Sequence, residues 1–210
     1  QYLPQVPEKK NGKRVALLGG GPASLAVARD LLPQGYEVHL FEKDSYGGGM
    51  MRTQIPAFRL PEHVLDEEVN LILDMGVETH FGYEVTSMKS MLDQNFDAYF
   101  VGTGAPRGRD LDLPGRTECA DSISIGIDWL ASVAFGHTTA ISGKVIVLGG
   151  GNTAMDCCRT ATRLGAESVS VIVRSAFEVM KASEWEKEDA MAEDIPILNN
   201  RPPKEFVHEN

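Results

Sequence analysis

Arg14-Val15-Ala16-Leu17-Leu18-Gly19-Gly20-Gly21-Pro22-Ala23-Ser24 decides how the chain reads, because it recurs in altered form as Lys144-Val145-Ile146-Val147-Leu148-Gly149-Gly150-Gly151-Asn152-Thr153-Ala154. Each copy is an apolar run, a glycine cluster and then a helical pattern, which predicts a strand turning into a helix, and Arg14 to Leu18 is apolar enough for a buried parallel strand. In the first copy Gly19 permits the tight turn, and Gly21 puts no Cβ between the backbone and an approaching pyrophosphate. Pro22 suits the first helical position, where its missing N–H is not needed. The free amides and the dipole at that helix end attract phosphate. Ala23, Val27 and Leu31 recur every fourth residue and predict the helix's apolar face; Gly35 predicts its stop. Val38, Leu40 and Phe41 predict the next strand, ended by Glu42, 23 positions after Gly19. A carboxylate there can accept the ribose hydroxyls of an adenosine. Ser24 stands where the fingerprint has its third glycine, so slightly looser helix–strand packing is expected, with binding retained.

In the second copy Gly149 and Gly151 match the turn, and Ala154 takes the third position. Asn152 or Thr153 is expected to cap the helix and donate to phosphate. Ala154, Cys158, Ala161 and Leu164 predict its inner face, and Ser168 to Val173 the following strand. Arg174 stands 25 positions after Gly149, where the first copy has its acid. A cation there favours the 2′-phosphate of NADP over the diol of NAD, with Lys181 as a second phosphate contact. The alternative is a pair of surface cations balancing Glu178 and Glu184. Two such turns imply two dinucleotides and electron transfer between them.

The chain has 210 residues, 42% hydrophobic, with a net charge of −10, which supports a real core and argues against nucleic acid as a partner. No apolar run approaches the ~20 residues that span a bilayer, and no secretory leader precedes the first strand, so a cytoplasmic protein without a membrane partner is expected. Cys119, Cys157 and Cys158 fall in no CxxC spacing, which argues against a disulfide framework, a redox pair or a cysteine cluster. His39, His63, His80, His137 and His208 show no metal spacing, and no metal ligand is assigned. Residues 1–12 read as an arm or linker. Gly47-Gly48-Gly49 lets backbone run close to something bulky and flat. Glu62 to Met75 predicts a helix, Val77 to Gly82 a strand, and Asp97 to Gly104 a buried strand ending in glycines. Ser122 to Phe135 predicts a helix with Ile123, Ile127, Leu130 and Ala134 inward, and His137 to Ser142 the boundary between units. Ser183 to Ile195 predicts an acidic helix whose charges form a solvated face.

Together, Gly19 to Ser24, Phe41-Glu42-Lys43, Gly48-Gly49 and above all Ile55-Pro56-Ala57-Phe58-Arg59-Leu60-Pro61 resemble the FAD domain of the glutamate synthase small-subunit family, which includes the flavin and NADPH modules of dihydropyrimidine dehydrogenase. Val147 to Asp156 resembles that family's NADPH turn. The resemblance covers residues 13 to about 205. It implies an α/β fold of two Rossmann-like dinucleotide-binding units, an FAD domain with an inserted NAD(P) domain: an arm over 1–12, the first part of the FAD domain over 13–142, and an incomplete NAD(P)H domain over 143–210. It implies that Gly19 and Gly21 to Ser24 hold the FAD pyrophosphate and Glu42 its ribose, with Lys43 and Gly49 alongside. Met50 and Arg59 would contact the flavin half, Val85 the adenine through its backbone, and Thr103 and Gly104 would close over the cofactor. Gly149, Gly151, Asn152, Thr153 and Ala154 would hold the nicotinamide dinucleotide, NADPH or NADH, with Arg174 and Lys181 at the 2′-phosphate. Members often carry two adjacent basic residues where this chain has Arg174-Ser175, so the choice between NAD and NADP stays open.

The expected activity is hydride transfer between NAD(P)H and FAD, with electrons passing to or from an iron–sulfur protein or a larger catalytic subunit. No catalytic side chain is required, because the cofactors carry the chemistry. A thioredoxin-reductase-like enzyme is rejected for want of a CxxC. A flavin monooxygenase, a ferredoxin:NAD(P) reductase running in reverse and a non-catalytic nucleotide-binding scaffold subunit are the rivals. The length after the second turn implies a fold truncated at the C-terminus, and so low FAD occupancy of this chain alone.

Overall fold

The computed structural model describes residues 4–208. It divides into two compact units. One runs to Arg52 and resumes over Ala57–Pro106; the other takes Thr53–Pro56 and the residues from Arg107 onward.

The first unit is a parallel sheet in the order β3 (Glu78–Phe81), β2 (Glu37–Glu42), β1 (Arg14–Leu18), β4 (Ala98–Val101). β1 pairs on both sides, Leu17 opposite Leu40 and Phe100, which is why its apolar run carries no polar alternation. Side chains alternate between two cores. Val15, Leu17, Val38 and Leu40 face Ala28 and Leu32; Ala16, Leu18 and Phe41 face Met91 and Phe96. Helix α1 (Pro22–Leu31) begins at Pro22 as predicted, and Gly35, at φ +85°, ends the short turn after it. The buried residues of α1 are Ser24, Leu25 and Ala28, not the expected stripe Ala23, Val27, Leu31. Ala23 is exposed, because the turn aims the helix one residue further round; Val27 and Leu31 only lean on the core. Short α2 (Met50–Thr53) follows the glycine loop, α3 (Glu62–Leu73) packs Leu65 and Val69 on Leu25, and short α4 (Met88–Leu92) buries Met91. The segment before β1 is docked: Val6 leans on the core, and the Asn11 N–H donates to the Gly35 carbonyl at 2.9 Å.

The second unit holds β5 (Lys144–Leu148), β6 (Ser168–Ile172) and β7 (Ile197–Leu198), parallel and in that order. Around them lie α5 (Gly126–Ala134), α6 (Asn152–Arg163) and α7 (Glu184–Ala192). α6 is buried on every side from Ala154 through Ala161, because the sheet, α5 and α7 all pack on it. Two expectations are corrected. α5 starts at Gly126, not Ser122, and buries only Leu130; Ala134 is exposed. Residues Ala120–Ser122 close a tighter 3-10 turn and Ile123 is extended, so the chain re-enters helix four residues late. The acids of α7 are not all solvated: Glu186 is 2% exposed and, with Asp189 and Glu193, clamps Arg159 of α6 at 2.9–3.4 Å. Among the described residues no helix is long and apolar enough to cross a membrane.

Candidate functional site

Both glycine turns lie where the sequence places them, between a strand and the helix after it. The first is tied down by backbone. The Gly19 N–H donates to the Phe41 carbonyl at 2.8 Å, and the Gly48 N–H donates to the Gly20 carbonyl at 2.8 Å. Gly19 has φ +97°, and a Cβ there would sit 2.6 Å from the Gly102 carbonyl oxygen, so glycine is required twice over. A Cβ on Gly49 would lie 2.8 Å from Gly21 Cα. The triple glycine therefore allows its loop to lie against the turn itself.

Glu42 is 6% exposed and its two oxygens are engaged: the Gly20 N–H donates to Oε2 at 2.6 Å and the Asp44 N–H donates to Oε1 at 2.9 Å. Each oxygen keeps a further lone pair for a hydroxyl donor. Ser24 is fully buried, and its Oγ has no hydrogen-bond partner among the described residues. A Cβ on Gly102 would come within 2.3 Å of that oxygen. The looser packing expected from serine at the third glycine position is thus corrected: Gly102 supplies the missing space, and Ser24 can offer a ligand only its backbone N–H. Thr103 and Gly104 follow Gly102 on the exposed rim, and the Tyr83 N–H, bonded to the Glu42 carbonyl at 2.9 Å, brings the segment carrying Val85 to the end of β2. Lys43, Met50 and Arg59 are exposed on the first unit.

The second turn is held by a different segment. The Ala182 N–H donates to the Gly150 carbonyl at 2.9 Å, and the Ser183 N–H donates to Asn152 Oδ1 at 2.9 Å. Gly151, not Asn152 or Thr153, is the helix cap, and no side chain bonds the first turn of α6; the capping expectation is corrected because Asn152 is spent on Ser183. Val173 approaches Gly150 so closely that a Cβ there would lie 2.8 Å from Val173 Cγ1. Arg174 and Lys181 each adjoin a residue that touches Gly150, so the fold gathers both cations beside the second turn. Both are exposed, and neither is paired to Glu178, Glu184 or any other acid among the described residues.

The two turns share the features that a dinucleotide phosphate needs. A Cβ on Gly21 or Gly151 would meet nothing within 4 Å, so each turn opens on free space. The amides of Ala23 and Ser24 in α1, and of Asn152 and Thr153 in α6, find no acceptor among the described residues. The residues present therefore fit a pyrophosphate at each helix N-terminus.

Cys119, Cys157 and Cys158 are free, buried thiols; burial pushes Cys157 and Cys158 up to about 12, far from the range of a working thiolate. The sequence offered no sign that His39 and His80 meet, 41 positions apart, with Glu78 between them. Burial lowers His39 from its ordinary 6.5, against the pull of Glu78.

Parallel sheets that turn through glycines into helices whose first turns no side chain caps are the pattern of the dinucleotide-binding α/β class. Over residues 13–210 the chain matches the pyridine nucleotide-disulphide oxidoreductase family, and it belongs to that family. It is similar to the NADPH-Fe(3+) oxidoreductase subunit beta of Geobacter sulfurreducens, 36% identical over 99% of this chain and 32% of the relative. It is also similar to the glutamate synthase [NADPH] small chain of Azospirillum brasilense, 34% identical over 97% of this chain and 45% of the relative. The chain thus spans a third to a half of these relatives. Its fold resembles that of Mycobacterium tuberculosis FprA in complex with NADPH, with a TM-score of 0.69 at 17% identity over 86% of this chain and 47% of that one.

Proposed function

We propose that the first unit holds FAD and the second NADPH, and that the chain is the nucleotide-binding part of an oxidoreductase passing a hydride between them. The observation that carries this reading is a contrast between two otherwise matching turns. The strand beside the first ends in a buried carboxylate, Glu42, suited to a ribose diol; the segment that follows the strand beside the second carries the exposed cations Arg174 and Lys181, suited to a 2′-phosphate. When bound, the flavin and nicotinamide rings supply the hydride chemistry. The chain's own residues bind and orient: the Ala23 and Ser24 amides face one phosphate group, the Asn152 and Thr153 amides the other, and Arg174 and Lys181 select the phosphorylated ribose. Gly49, Met50, Arg59, Val85, Thr103 and Gly104 are assigned to the first cofactor and Gly149, Gly151 and Ala154 to the second. The names of the relatives, a subunit and a small chain, support a partner that takes the electrons onward, which we assign to an iron–sulfur protein or larger catalytic subunit.

Anaerobic addition of NADPH to the FAD-loaded chain tests the activity: bleaching of the flavin absorbance is expected, and unchanged absorbance would indicate a scaffold. Arg174→Ala should weaken NADPH binding about tenfold to a hundredfold, the weight of a charged hydrogen bond, and leave NADH binding nearly unchanged. Equal losses for both nucleotides, measured by nicotinamide fluorescence, would remove Arg174 from the 2′-phosphate.

A further inference from the structure

We propose that His39, Glu78 and His80 form a site for one divalent transition-metal ion of the zinc class, on the face of the first sheet opposite α1. The parallel register of β2 and β3 sets His39 beside Glu78 and Phe41 beside His80. Glu78 and His80 stand two apart on β3, so both side chains fall on one face. His39 meets them there, since it shares the face of Phe41 and not that of Val38 and Leu40.

The distances are those of a coordination shell. His39 Nδ1 lies 3.3 Å from His80 Nε2 and 3.4 Å from Glu78 Oε1, and His80 Nε2 lies 3.6 Å from the same oxygen. A tetrahedral ion with bonds of about 2.0–2.1 Å holds its ligand atoms about 3.3–3.4 Å apart. The three atoms already outline one face of such a tetrahedron, and closing it asks for movements of a few tenths of an ångström.

The imidazoles are held in place by neighbouring rings as well as by the hydrogen-bond contact between their own nitrogens. His39, buried, packs edge-on against Phe96 at 4.9 Å; His80 stacks on Phe41 at 4.4 Å with planes 10° apart. Such packing is the support that keeps a ligand set preorganised. The Glu78 side chain is 64% exposed, which gives the ion a way in and leaves the fourth position to water. The nearest cation, Arg14, stacks over Phe96 at 4.3 Å and faces Glu37 at 3.9 Å, so its charge is partly offset. Two imidazoles and one carboxylate favour zinc, cobalt, nickel or copper over magnesium or calcium, which need an oxygen shell. β3 is an edge strand of four residues, and an ion across β2 and β3 would pin it to the sheet. This site is independent of the dinucleotide reading.

The test is titration of the metal-stripped chain with Zn2+ by calorimetry, and with Co2+ by visible absorption. One ion per chain is expected, with the visible bands of low-coordinate Co2+ and no thiolate charge-transfer band. Glu78→Gln, at an exposed position that the fold tolerates, should weaken Zn2+ binding about tenfold, and His80→Ala about a hundredfold. His80→Phe keeps the stacking on Phe41 and should lose binding equally, which separates a lost ligand from a lost fold. A given Zn2+ concentration should raise the melting temperature of the parent more than that of these variants. No binding by the parent, or binding that Glu78→Gln and His80→Phe leave unchanged, would overturn the proposal.

Discussion

Glu42 is the residue on which the first turn depends before any nucleotide arrives. Its carboxylate accepts from Gly20 and Asp44 at once, a pairing that needs an acceptor on both oxygens. Glu42→Gln turns one acceptor into a donor facing an N–H, so the nucleotide-free chain should lose about 1–3 kcal/mol in a urea melt. An unchanged midpoint would show that these bonds carry no weight. Ser24 and Gly102 form the other residue-scale pair. Gly102→Ala should destabilise by about 1–3 kcal/mol, because its methyl meets Ser24 Oγ and the Phe100 ring. In a Ser24→Ala background the loss should shrink, since the orphaned hydroxyl is gone; an additive double mutant would place the obstacle elsewhere.

At the scale of elements, the glycine turns and most strands and helices were legible in the sequence because their signals are local. β5 is observed over the predicted residues, and α1 and α6 start where proline and glycine put their first turns. The faces were less legible. α6 reads as a one-sided helix yet is buried all round, so its Arg159 lies 9% exposed in the grip of α7. Arg159→Ala would take a cationic partner from the buried Glu186, and should destabilise the second unit by about 3–5 kcal/mol. Adding Glu186→Gln should recover part of that loss in denaturant melts; no recovery would mean that packing of the arginine stem, not charge, holds the pair.

At the scale of the whole molecule, each unit keeps its own core, and both tryptophans, Trp129 and Trp185, belong to the second. Tryptophan fluorescence therefore reports on that unit alone. Hydrogen bonds from Arg163 and Arg159 hold the Glu193 carboxyl below its ordinary 4.5, against an opposing push from burial. A carboxyl lowered in the folded state lends stability that is complete above pH 4.5 and fades as pH falls through its folded value. Acid titration followed by tryptophan emission should show the second unit weakening below that pH, and Glu193→Gln should flatten this dependence. Superimposable titrations of parent and variant would rule out Glu193 as the sensor.

The amino-acid sequence by itself determined two strand–glycine–helix units, because a missing Cβ, a proline at a helix start and an apolar run act within a few residues of themselves. Tertiary structure alone decided that Glu42 clasps Gly20, that Asn152 serves Ser183 and not the helix end, that Gly102 makes room for Ser24, and that His39 reaches His80. Those meetings follow from strand register and from the packing of helices on sheets, which join residues that no spacing along the chain relates.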